Sequence, residues 1–234
     1  MTVFITGVGS GIGLETCMHF LSKEHNVIGL LRNKSQGKEI ELKANRYLGN
    51  LQLIYADLAT DGFLKEITDR LNHWSISKID VLINIAGILN PEIIGKFSLE
   101  TIGLIMRVNF TAPALIIQEL LPMLKQGTNA NIINITSMSG FQGSVRFPGL
   151  AIYGASKAAL SSLSESLSVE LQEFNISVNA LAIGSVNTNM LKTAFPDYTA
   201  ITQPHDMAEY IYSFSTYGYK FYNGKTLPVA ITNP

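Results

Sequence analysis

Cysteine is almost absent. Cys17 is the one thiol in 234 residues, so no internal disulfide can form, and its place in an apolar-periodic segment suits a small buried hydrophobe. A reducing cytoplasm is the compartment consistent with that usage. Net charge is scarce too: 17 Lys and Arg stand against 18 Asp and Glu, a formal −1. No basic field is available to condense on a phosphate backbone, which argues against nucleic acid as a partner. The four histidines, His19, His25, His73 and His205, show no ligand spacing, so no metal site is expected. Long apolar runs are missing; stretches such as 81–89 fall well short of the roughly 20 residues that span a bilayer. The first predicted strand begins at Val3, too early for a leader with its charged and apolar regions. A soluble, cytoplasmic protein with no membrane association is the expectation. Repeats and linker-like stretches are also lacking, so residues 1–234 are expected to form a single domain.

What is present is a recurrence of short apolar, often β-branched runs at 3–5, 27–31, 51–56, 81–85, 132–136, 178–182 and 226–231. Their hydrophobicity is continuous rather than alternating, as in strands covered on both faces, and longer helix-like segments lie between them. This predicts an α/β fold, a doubly wound, mostly parallel seven-stranded sheet with helices on both faces. Ligands of such sheets bind beyond the carboxyl ends of the strands, so the residues just after each strand carry the most information.

After the first run comes Thr6-Gly7-Val8-Gly9-Ser10-Gly11-Ile12-Gly13, opening into an apolar helix. Glycines there allow a tight turn and a close approach to a pyrophosphate, while Ser10, Ile12 and their neighbours would present helix N-terminal amides to its oxygens. The second run ends in Leu30-Leu31-Arg32-Asn33-Lys34-Ser35, with no acid before Glu39. An NAD site usually places Asp or Glu here for the ribose 2′-hydroxyl. Arg32 instead suits a 2′-phosphate, which favours NADP over NAD. Asp57 and Leu58, after the third run, could flank an adenine. Asn84-Ile85-Ala86-Gly87, after the fourth, would let a cofactor lie against the backbone.

Tyr153-Gly154-Ala155-Ser156-Lys157 opens a helix whose apolar members are Leu160, Leu163, Leu167 and Leu171. Tyr153 and Lys157 share a face, and the helical period puts Leu160 and Leu171 on that same face. An inward lysine requires compensation by a charge, a hydrogen bond or a ligand. A tyrosine of ordinary pKa about 10 is a poor acid near neutrality. A neighbouring ammonium is expected to lower it towards the working pH. Ser137, directly after the fifth run, would donate to a developing oxyanion, with Ser139 as a rival. Asn109, between two helical stretches, would hold a water that links Lys157 to bulk solvent.

These motifs together resemble the short-chain dehydrogenase/reductase family nearly end to end. The resemblance rests on Thr6 to Gly13, on Asn84 to Gly87, and on the set Asn109, Ser137, Tyr153 and Lys157. It implies a Rossmann-type fold, with Tyr153 as general acid or base, Lys157 also on the nicotinamide ribose, Ser137 on the carbonyl and Asn109 on a relay water. The segment around Gly184 resembles the family's nicotinamide-contacting turn, which gives Val186 and Thr188 that role. Three features depart from the family pattern, one of them the stretch between Ser137 and Tyr153, longer than the family minimum, which makes Ser139 a rival hydroxyl. Ile85 replaces an Asn, and Ile183 replaces a Pro, which removes a fixed φ before Gly184.

The loops 140–152 and 188–203 should shape the substrate pocket. Their Phe141, Phe147, Phe195 and Tyr198 favour an uncharged, largely apolar carbonyl or alcohol, while Arg146 is read as an exposed side chain. By resemblance, the helices over 99–125 and 153–174 pack against a second subunit, giving a homodimer or homotetramer. Three functions remain open: NADPH-dependent reduction of a ketone, including 3-oxoacyl substrates; NAD-dependent alcohol oxidation; and non-catalytic dinucleotide sensing.

Overall fold

A computed structural model describes residues 1–231; the last three residues of the expected domain lie outside the described residues. The strands are β1 (Thr2–Thr6), β2 (Asn26–Leu31), β3 (Leu51–Tyr55), β4 (Val81–Asn84), β5 (Asn131–Ser137), β6 (Ser177–Ile183) and β7 (Thr226–Val229). They form one all-parallel, seven-stranded sheet in the order β3-β2-β1-β4-β5-β6-β7. Strand order reverses between β1 and β4, so a crevice opens there at the carboxyl edge.

Alternation along each strand supplies two cores. Val3, Ile5, Val27, Val81, Ile83, Ile133 and Leu181 face one side, where α1 (Gly11–Ser22), α2 (Lys34–Ala44) and α8 (Pro204–Thr216) cover them. Phe4, Ile28, Leu82, Ile132 and Val178 face the other, against α3 (Phe63–His73), α5 (Ala112–Leu124) and α6 (Ala151–Glu170). Continuous apolar runs thus fill two half-cores at once, as expected of strands buried on both faces. Cys17 is wholly buried in the first core, and burial pushes its thiol up to about 12, so it behaves as a hydrophobe.

The helix expected over 99–125 is divided. α4 (Leu99–Met106) passes through a π turn (Arg107–Thr111) into α5. The run Leu99–Leu124, 26 residues, is long and apolar enough by length and composition alone to cross a membrane, a test that the core helix of a soluble protein also passes. In this fold its Ile105, Ile116, Ile117, Leu120 and Leu124 are buried. A short helix, α7 (Asn189–Ala194), follows β6 and lies over the carboxyl edge, capped by Thr188, whose Oγ1 accepts from the Leu191 amide at 3.3 Å.

Candidate active site

Where the chain leaves β1, the backbone approaches itself too closely for side chains. A Cβ on Gly13 would lie 2.2 Å from the Gly7 carbonyl oxygen, and one on Gly7 would lie 2.9 Å from Ala86 Cα. Gly7 and Gly11 also have positive φ, 80° and 56°. Ser10 caps α1 with no side-chain hydrogen bond, so the first amides of the helix are left open beside the turn. A cleft of about 460 Å³ runs over this turn. Gly7, Gly9, Ser10, Gly11, Ile12 and Gly13 line one end of it, with Arg32, Asp57 and Leu58. Ala86 and Thr188 stand close against the turn, and Gly87, Tyr153 and Lys157 line the cleft as well. Glycine-cleared backbone, open amides and an apolar groove suit a dinucleotide, with Arg32 at the adenosine end and Lys157 at the nicotinamide end.

Three residues assigned to that cleft lie elsewhere. Asn84 is 1% exposed, and its Nδ2 donates to Asn134 Oδ1 at 2.8 Å. Asn134 Nδ2 in turn donates to Ser164 Oγ at 2.8 Å, so Asn84 ties β4 and β5 to α6. Gly184 and Val186 line the neighbouring cleft, and Val186 bridges to Thr202. Ile183 remains a strand residue, paired with Ser137, in a position where a proline would be unable to donate to the ladder.

The cleft exists because β1 and β4 separate from β5 at their ends. Thr6 Oγ1 accepts from the amides of both Ile85 and Ala86, at 3.1 Å each. The register Asn84↔Asn134 would bring the Ala86 amide to the Ile135 carbonyl next, but Thr6 has already taken that amide. The Ile135 oxygen is therefore free, and Lys157 Nζ donates to it at 2.9 Å. Lys157 is 4% exposed and has no carboxylate partner among the described residues. Burial lowers its pKa from 10.5 to about 8.

Tyr153 sits on the first turn of α6, half-buried, at the junction of this cleft with a second one of about 420 Å³. Its phenol corrects an expectation. Burial raises its pKa, and the group that opposes the rise is the Ser137 hydroxyl, not the Lys157 ammonium. The reason is geometric, since the ammonium is directed at the Ile135 carbonyl. Ser137 Oγ also accepts from the Ser139 amide at 3.1 Å, which orders the 3-10 turn Met138–Gly140. Ser139 lines the second cleft as well, but Ser137 is the hydroxyl that interacts with Tyr153.

Asn109 is fully buried in the π turn, a distortion frequent at functional sites. Its Nδ2 donates to the Ile88 carbonyl at 3.0 Å and to Ser156 Oγ at 3.0 Å, while its Oδ1 accepts from the Ile88 amide at 2.8 Å. Both amide hydrogens are thus used. The side chain clamps the segment after β4 to the helix that carries Tyr153. Oδ1 and Lys157 Nζ also meet at Gly87, where an added Cβ would lie 3.2 and 3.3 Å from them.

Sequence reasoning did not single out Thr6, Ser156, Gly140 or Gly154 as builders of the site. A Cβ on Gly154 would fall 2.5 Å from the Ser139 oxygen, so the two glycines let the serine turn rest on the backbone of α6. Small residues beside a catalytic-looking serine and tyrosine were the signal available. Arg146 donates to the carbonyls of Met138, Ser139 and Phe141, the last at 2.9 Å, and so fastens the same turn. The second cleft is apolar, lined by Leu89, Phe147, Leu150, Met190, Phe195 and Tyr198 among others. Phe141 is not among its lining residues.

A family model for short chain dehydrogenases matches residues 1–199. Bovine retinol dehydrogenase 8 is 30% identical over 191 residues, 80% of this chain and 59% of the relative, so the chain spans about three-fifths of that relative's length. The 3-oxoacyl-[acyl-carrier-protein] reductase FabG of Thermotoga maritima is 28% identical over 186 residues, 80% of this chain and 74% of FabG. Among solved structures, the Pseudomonas aeruginosa RhlG/NADP active-site complex superposes with a TM-score of 0.88 at 25% identity, covering 98% of this chain and 94% of that one.

Proposed function

We infer, because the chain belongs to the short-chain dehydrogenase/reductase family, that it reduces a neutral ketone or aldehyde to an alcohol at the expense of NADPH. The observation that carries this reading is the position of Tyr153, whose side chain lines both the glycine-turn cleft and the apolar cleft beside it. A dinucleotide bound along the first cleft would supply hydride to a carbonyl held in the second. Tyr153 delivers the proton to the carbonyl oxygen, and Ser137 donates a hydrogen bond to the same oxygen as charge develops on it. Lys157, in the wall of the first cleft, would hold the ribose end of the cofactor.

NADPH is preferred to NADH on the strength of Arg32. Its guanidinium lines the adenosine end, is exposed, and is suited to a 2′-phosphate. Asp57 is the one carboxylate among the described residues of that cleft, and its Oδ1 already accepts from the Ala59 amide at 3.0 Å. The NADP complex of RhlG supports the same choice. Apolar positions exposed on α4 and α6, Leu99 at 87% and Val169 at 72%, support a homodimer or homotetramer as the assembled form.

The test is a spectrophotometric screen of NADPH and NADH oxidation over ketones, aldehydes and 3-oxoacyl thioesters, with Arg32→Ala alongside. Turnover with NADPH that falls about tenfold or more in the variant, with NADH rates unchanged, is expected from the loss of a charge-assisted phosphate contact. A cofactor preference left unchanged by the substitution removes the case for NADPH. Oxidation of neither cofactor with any carbonyl removes the case for a reductase.

A further inference from the structure

Next to the apolar cleft, across a rim made by Ser139, Phe147 and Leu150, lies a further hollow of about 590 Å³. Its floor is the first turns of α6, where Gly154, Ala155 and Ala158 present almost no side chain. Its outer wall carries Ile93 and Ile94, 53% and 84% exposed. We propose that this hollow receives the apolar tail of the substrate, whose carbonyl end lies at Tyr153 and whose chain crosses the rim at Phe147. The proposal rests on the reductase reading above and specifies its substrate class, a neutral carbonyl on a long hydrocarbon chain.

Continuity is the first argument, since the three rim residues line both spaces. Size is the second. The reaction cleft alone, at about 420 Å³, sits near the low end of the roughly 300–1,000 Å³ spanned by ligand pockets, and the two spaces together reach its top. Charge is the third. Arg146, the one cation among the described lining residues, is held by the carbonyls of Met138, Ser139 and Phe141. Glu92 lies in the opposite wall with Oε1 accepting from Asn90 Nδ2 at 3.1 Å. A carboxylate in the wall and a cation already engaged disfavour an anionic tail and leave a neutral one. The Glu92 amide donates to the Gly149 carbonyl at 3.0 Å, which ties the two walls together and fixes the width between them. Ile94 would otherwise stand almost bare in water in a hollow with two further exposed apolar side chains, Ile93 and Phe147.

The experiment compares kcat/KM over methyl ketones from butan-2-one to dodecan-2-one in the wild type, Ile94→Asp and Ala155→Phe. Wild-type efficiency should rise about threefold per added methylene until the hollow is filled. The aspartate and the phenylalanine should each cut dodecan-2-one about tenfold or more and leave butan-2-one within about twofold. Equal losses on both ketones, or no dependence on chain length, overturn the proposal. Displacement of Nile red by dodecan-2-one is the readout that does not need turnover. If no ketone is reduced, the reductase reading fails by itself. Weaker displacement from Ile94→Asp than from the wild type then still supports the hollow as a tail site, and equal displacement overturns it.

Discussion

Replacing Lys157 with methionine should make the protein more stable at neutral pH while removing its activity. The ammonium is 4% exposed, and its only hydrogen bond among the described residues is to the Ile135 carbonyl. Its pKa falls from 10.5 to about 8, which corresponds to a penalty of about 3 kcal/mol on the charged form in the fold. Methionine has a similar length and no charge. It relieves that penalty and gives up one hydrogen bond, worth about 1 kcal/mol, for a net gain of about 2 kcal/mol at pH 7. The sign with pH follows from linkage. The folded-state pKa lies below the unfolded one, so between about 8 and 10.5 the unfolded chain binds more protons, and wild-type stability climbs with pH. The advantage of the variant therefore shrinks across that window, and by its upper end it has become a deficit of about 1 kcal/mol. Urea unfolding followed by circular dichroism at several pH values, at one protomer concentration, measures both the gap and its slope. A variant less stable than the wild type at pH 7, by an amount that does not change with pH, would refute the desolvated lysine.

Two other substitutions probe the frame that carries the site. Asn109→Ala removes the fully buried side chain that satisfies both polar groups of Ile88 and takes from the Ser156 hydroxyl its donor, leaving that hydroxyl only the Tyr153 carbonyl at 2.7 Å. It should lower unfolding free energy by about 2–4 kcal/mol, read from denaturant midpoints. Asp80, at the opposite edge, is 6% exposed and accepts from the amides of Thr2 and Thr128, with Lys78 at 3.1 Å. Burial alone would raise its pKa, but the two amides and Lys78 outweigh it and hold the carboxyl below its ordinary value. Its contribution is therefore present above the unfolded carboxylate pKa and lost as pH falls through the folded one. Asp80→Asn should cost about 1–3 kcal/mol at pH 7, and acid titration of the wild type and variant should bring their stabilities together.

The sheet was legible because burial on both faces leaves its mark on every strand. The apolar runs at 27–31 and 132–136 match β2 and β5 to within a residue or so at each end. The interruption within 99–125 was not, because nothing about Arg107, Val108 or Phe110 forbids an ordinary helix; the π turn is a property of how Asn109 reaches Ile88. The inward face of Tyr153 and Lys157 followed from helical phase, and the structure puts both on the cleft. What Lys157 donates to did not follow. That depends on Thr6 capturing the Ala86 amide, a contact between strands about 80 positions apart in the chain and invisible to any local pattern. The same holds for Asn84. A polar residue at a strand end reads as a ligand contact, and only its pairing across the sheet with Asn134 shows its amide to be internal.

The central claim is that Tyr153 delivers the proton that accompanies carbonyl reduction. Single-turnover oxidation of NADPH by the wild type and Tyr153→Phe, with a saturating ketone and with NADPH affinity measured separately, tests it most directly. A rate lowered about 10²–10⁴-fold with NADPH affinity preserved is the predicted result. A variant that turns over as fast as the wild type would contradict the account.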